Sequence, residues 1–247
     1  QRLNWAEKHF KLVIDDGYLL LKIEASKYAS MIQNFMADLP RAIEYLDKCT
    51  EFLKTEEYTK NFNNSDIQIK KNETQKLAYQ AQIAANNGDW NKARELVDKT
   101  LNLDPNEIDT VILRHKICER DPKIEQSYKI QMNGIILRAT QKIRNELEQQ
   151  IRNSVGVSSY LACNQVAWLL ANTNGDFTLA KDLIEITMKY EPDSSTYLDT
   201  QAHVFALGKQ FDKAIEIQTR AIKLSPETKV YRNALEKFKK LKNENTQ

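Results

Sequence analysis

Apolar residues recur along this chain at helical spacing. In residues 107–120, Val111, Ile112, Ile117 and Cys118 predict one helix, ended by Asp121-Pro122. From Ile124 to about Asn153, the positions Ile130, Leu137, Ile143, Leu147 and Ile151 predict a longer helix whose weak point is Gly134, and residues 154–159 read as a flexible loop. Residues 227–242 gather Tyr231, Leu235, Phe238 and Leu241 on one face of an otherwise polar helix. The first 60 residues read as two helices, Leu3 to about Asp38 and Pro40 to about Lys60, with Pro40 at a helix start where a missing N–H costs nothing. The face Phe10, Val13, Gly17, Leu20, Leu21, Tyr28, Met31 and Phe35 is free either to pack internally or to meet a second copy of the chain.

Between these segments the chain repeats itself. Gly88-Asp89-Trp90-Asn91-Lys92-Ala93 recurs as Gly175-Asp176-Phe177-Thr178-Leu179-Ala180, and again as Gly208-Lys209-Gln210-Phe211-Asp212-Lys213-Ala214. Each aromatic precedes an alanine by three residues, and each alanine precedes a proline by twelve: Pro105, Pro192 and Pro226. A glycine that lets a first helix end, and a proline that stops a second, predict pairs of antiparallel helices joined by tight turns. Ala93, Ala180 and Ala214 allow helix axes to approach closely, as do Ala81 and Ala202 twelve residues upstream, where the middle unit instead has Trp168.

These residues resemble the tetratricopeptide repeat over 74–107, 161–194 and 195–228. The resemblance implies an all-α, right-handed superhelical solenoid of antiparallel helix pairs, laid out as an N-terminal long helical hairpin (1–62), a solenoid (63–228, with an enlarged hairpin over 107–155) and a C-terminal capping helix and tail (229–247). Thr100 and Thr187 depart from the family by standing where a late alanine is usual.

Composition agrees. Gly and Pro number 6 and 5, too few for the turns of a sandwich or barrel, and 36 basic against 34 acidic residues give a charge of +2, which leaves nucleic-acid binding unsupported. No apolar run is long enough for membrane insertion, and there is no signal-like start. The widely spaced Cys49, Cys118 and Cys163 read as core residues, which favours the cytoplasm. A first residue that is Gln suggests a processed product or an excised piece.

Candidate chemistry is thin. His9, His115 and His203 are far apart, and no zinc, nucleophile-elbow or phosphate-loop motif occurs, so neither an enzyme nor a bound cofactor or metal is expected. The lysines 237, 239, 240 and 242 read as a solvated face, while Asn72-Glu73-Thr74 and Asn63-Asn64-Ser65 fit the glycosylation pattern. What remains is binding. The family resemblance implies a concave groove lined by Gln75, Ala78, Gln82 and Ala85, then Ala162, Gln165, Leu169 and Asn172, then Thr196, Asp199, His203 and Ala206. Relatives that grip a chaperone's C-terminal carboxylate use Lys, Asn and Arg at such places, and that clamp is missing here. The expected function is capture of a partner protein or peptide, whose backbone the Asn and Gln amides would orient. Two other readings stand beside it: a regulatory region of a larger enzyme, and a homodimeric scaffold built through the N-terminal helices.

Overall fold

The structure, a computed structural model, describes residues 2–105, 107–120 and 157–245 with scattered positions between 126 and 149. The described residues are helical throughout their regular structure, with no strand among them. The helices are α1 (Arg2–Asp16), α2 (Leu19–Phe35), α3 (Leu39–Leu53), α4 (Glu56–Asn61), α5 (Ser65–Asn86) and α6 (Trp90–Leu103), followed by α7 (Ile108–Arg120), α8 (Val157–Asn172), α9 (Phe177–Tyr190), α10 (Ser195–Leu207), α11 (Phe211–Leu224) and α12 (Lys229–Glu244). They form two compact units, residues 1–113 and 114–247.

In the first unit α2 packs between α1 and α3, α3 meets α5, and α5 pairs with α6. The expected single helix over 3–38 is two helices. A side chain at Gly17 would put its Cβ 2.5 Å from the Val13 carbonyl oxygen, and the chain turns there before Tyr18 enters an extended conformation. The expected helix over 40–60 is likewise interrupted. Thr55 accepts a hydrogen bond from the Tyr58 N–H and starts α4 afresh. Pro40 lies in the first turn of α3, as the sequence requires, with Asp38 capping the Arg41 N–H. Ser65 and Asp66 open α5 without acting as its cap; the cap residue is Asn64, whose amide oxygen accepts from the Tyr58 hydroxyl at 2.9 Å. Asn72 is buried inside α5 and donates to Thr50 at 3.2 Å, so its amide is closed to glycosylation.

In the second unit α8 pairs with α9 and lies beside α10, α10 pairs with α11, and α12 covers α11. Leu198, Ala202, Phe205, Ala214, Ile217, Ala221, Tyr231 and Phe238 form one continuous core through α10, α11 and α12, so the last helix caps the stack with the apolar face its sequence predicts. The start of α8 takes in Val157, Ser158 and Ser159, which the sequence reads as loop. The expected helix over 124–153 and the loop over 154–156 lie outside the described residues, apart from scattered helical positions.

The repeat residues pack as hairpins demand. Ala81, Ala93, Ala180, Ala202 and Ala214 have no exposed surface, so the paired backbones meet at their smallest side chains. Thr100 and Thr187 are equally buried and return their hydroxyls to Leu96 and Leu183, four residues back, which lets a polar side chain sit where alanine is usual. The glycines differ in role. Gly88 adopts φ +76° with open space around it, while in the other two turns the left-handed residues are Asn174 and Lys209. Gly208 serves close approach instead: a Cβ there would lie 2.5 Å from the Phe177 ring of the preceding hairpin. The three cysteines are buried and unbridged.

Candidate functional site

The expected groove residues divide between the units. Gln75 and Gln82 belong to α5 in the first, both half-buried, and Gln82 donates to Asn86 at 2.8 Å. The remainder lie on α8 and α10 in the second. Gln165 and Thr196 are exposed, whereas Asn172 is half-buried and folds its amide back onto the Trp168 carbonyl at 3.0 Å. Leu169 has no exposed surface, so it belongs to the core and offers nothing to a partner. Asp199 and His203 keep 14% and 11% of their side-chain surface exposed and form the floor between the helices.

That floor is tightly organised. The His203 ring lies between two aromatic rings, edge-on to Trp168 from α8 at 4.8 Å and to Phe238 from α12 at 4.9 Å. Its Nδ1 is 2.9 Å from the Asp199 backbone oxygen. One Asp199 carboxylate oxygen accepts from Gln218 at 2.7 Å, and the same Gln218 amide nitrogen reaches the Tyr231 carbonyl at 3.1 Å. Thr196 and Tyr231 bring their hydroxyls to 3.4 Å. Helices α10, α11 and α12 are thus joined by a buried polar chain as well as by apolar packing. Burial pushes the Asp199 carboxyl up despite His203 and Gln218, and burial pushes His203 down although Asp199 opposes it.

The last turns of α7 belong to this unit. Glu119 accepts from Asn174, just past α8, at 2.6 Å, and lies 3.3 Å from His115 Nε2. Burial also lowers the His115 pKa, with Glu119 opposing. Lys237, Lys239 and Lys240 are exposed, as a solvated face requires, and Lys242 is half-buried. Lys239 pairs with Glu236 and Lys240 with Glu244, and Lys242 pairs with Asp212 of α11.

Sequence reasoning missed Trp168, Phe238, Gln218 and Tyr231 as members of this arrangement. The 34-residue period does not mark them: Trp168 and Phe238 stand 35 residues to either side of His203, one position off the repeat. The arrangement offers hydrogen-bonding amides and hydroxyls over a rigid aromatic floor. Among the described residues no three His, Cys, Asp or Glu side chains group to hold a metal ion, and no helix is long and apolar enough to cross a membrane.

No family model matches the chain, and no curated protein matches it. Among solved structures it is similar to the TPR domain of P58(IPK), at 14% identity and a TM-score of 0.34, over 99% of both chains. It is also similar to yeast Tom70, at 16% identity and a TM-score of 0.37, over 99% of this chain and 59% of that one. Its own repeated glycines, aromatics and alanines, and the way they pack, make this an all-α protein of tetratricopeptide-like helical hairpins.

Proposed function

We propose that the chain is a protein-interaction module, and that α8 and α10 present Gln165, Asn172 and Thr196 to an extended segment of a partner. The observation that carries this reading is the pairing of a locked floor with exposed polar side chains above it. Trp168, His203 and Phe238 hold α8, α10 and α12 in fixed relation, while Gln165 and Thr196 stay exposed on the first helices of successive hairpins. An extended backbone has donors and acceptors to satisfy, and a primary amide supplies both at once. Preorganisation of the floor limits the entropy lost on binding.

A photo-crosslinking amino acid placed at Gln165 tests the reading, with one at exposed Glu185 on α9 as control. Partner peptides should be captured at 165 and not at 185; equal capture at both positions removes the assignment. For a partner so identified, Gln165→Ala with Thr196→Ala should weaken affinity roughly tenfold, from one or two hydrogen bonds at about 0.5–1.5 kcal/mol each.

A further inference from the structure

Among the described residues, the outward face of α1 carries an apolar and charged pattern that the fold does not use. Trp5 and Leu12, two turns apart, are 63% and 55% exposed. Lys8 stands on the same exposed side one turn before Leu12 and Asp16 one turn after it, with exposed Lys11 and Asp15 flanking them. Among the described residues none of these four makes an ion pair. Trp5 is not a loose side chain, because His9 lies against it with ring centroids 3.8 Å apart and an Nδ1 contact of 2.8 Å to its carbonyl oxygen. Just past the end of α1, Tyr18, Leu19, Leu20, Glu57, Asn61 and Phe62 line an open notch of about 480 Å³. Tyr18 at its rim is 86% exposed.

We propose that this face binds a second copy of the chain, with the two α1 helices antiparallel across a twofold axis near Leu12. An isologous contact requires the surface to be complementary to itself, and this one is. Pairing about residue 12 sets Lys8 beside Asp16 of the other copy, and Lys11 within a turn of Asp15. It brings Leu12 against its own counterpart. Trp5 then lies about 10 Å along the helix from the axis, opposite the start of α2 and the open notch there. The exposed side chains of Trp5, Leu12, Tyr18, Leu20 and Phe62 supply the apolar centre that such a contact needs. A chemically different partner would have no reason to match both the polarity and the knob-and-notch spacing of one helix.

Sedimentation velocity of the full chain, at low salt and several concentrations, tests the proposal. The expected result is a species of twice the 28.7 kDa chain mass that dissociates on dilution. Lys8→Glu and Asp16→Lys, each alone, should raise the dissociation constant at least tenfold, and the two together should restore it, because the swapped charges pair again across the axis. Trp5→Ala should give the monomer mass, as should Tyr18→Lys, which alters no buried residue; far-UV circular dichroism confirms that each variant is folded. A wild-type monomer at all concentrations overturns the proposal. So does a dimer indifferent to Trp5 and Tyr18, or a charge swap that fails to recover association.

Discussion

At the turn of the α5–α6 hairpin, Gly88 takes φ +76° and a Cβ there would touch nothing, whereas at the turn of α10–α11 the left-handed residue is Lys209 and Gly208 lies against the Phe177 ring. The two turns look alike in sequence, Gly88-Asp89-Trp90 against Gly208-Lys209-Gln210-Phe211, with the aromatic one residue further on in the second. The first glycine is kept by backbone conformation, the second by the bulk of a neighbouring hairpin. The lesson is that a repeat letter reports a spatial requirement that two different forces can impose.

The sharpest way to break the comparison is to substitute both glycines. Gly208→Ala should destabilise the second unit by about 1–3 kcal/mol, the usual range for forcing an atom into a packed contact, measured by urea denaturation. Because the obstacle is the ring, Phe177→Leu should recover part of that loss in a double-mutant cycle, and strict additivity would refute the packing account. Gly88→Ala meets no neighbour and should cost about 1–2 kcal/mol through its left-handed backbone alone. Gly88→Asn should retain most of the wild-type stability, since asparagine tolerates that conformation.

A smaller effect separates the helices that follow the turns. Asp89 and Asp176 accept hydrogen bonds from Lys92 and Leu179 N–H groups, both at 3.0 Å, whereas Gln210 caps nothing. Replacing either aspartate by alanine should cost about 1 kcal/mol, while Gln210→Asp should gain a few tenths to about 1 kcal/mol, read as shifts of thermal midpoint in opposite directions. The smallest contrast is in pH. Burial lowers His203 and His115, so as pH falls below about 6.5 the unfolded chain takes up protons that the folded second unit resists, and stability falls. The raised carboxyl of Asp199 works the other way in more acid solution, where the folded form is the first to be protonated. His203→Gln should flatten the loss between about pH 7 and pH 5 in urea titrations; an unchanged slope would remove the ring from this account.

The hairpins were legible because their letters serve local geometry: alanine where axes cross, proline after a helix, glycine at a turn. The long N-terminal helix was misread because hydrophobic periodicity runs through Gly17 without interruption, and only the backbone shows the break. Register put Gln165 on one helix and Thr196, Asp199 and His203 on another, and the structure has those two helices side by side. Their exposure was not legible. Nothing local announces that Leu169 is fully buried while Gln165, four residues earlier and one turn away, is open, because that depends on which helices lie alongside. The aromatic clasp on His203 joins residues 35 apart on either side and is visible only when three helices are set together.

The seat of Phe177 on Gly208 has a consequence for how the chain comes apart. Neither hairpin owns that contact, so melting the α10–α11 pair strips the ring of its cover, and loosening α9 leaves a hole beside Gly208. Strong coupling between adjacent units raises the cost of any half-melted array. Residues 160–244 are accordingly expected to lose amide-exchange protection as a single block.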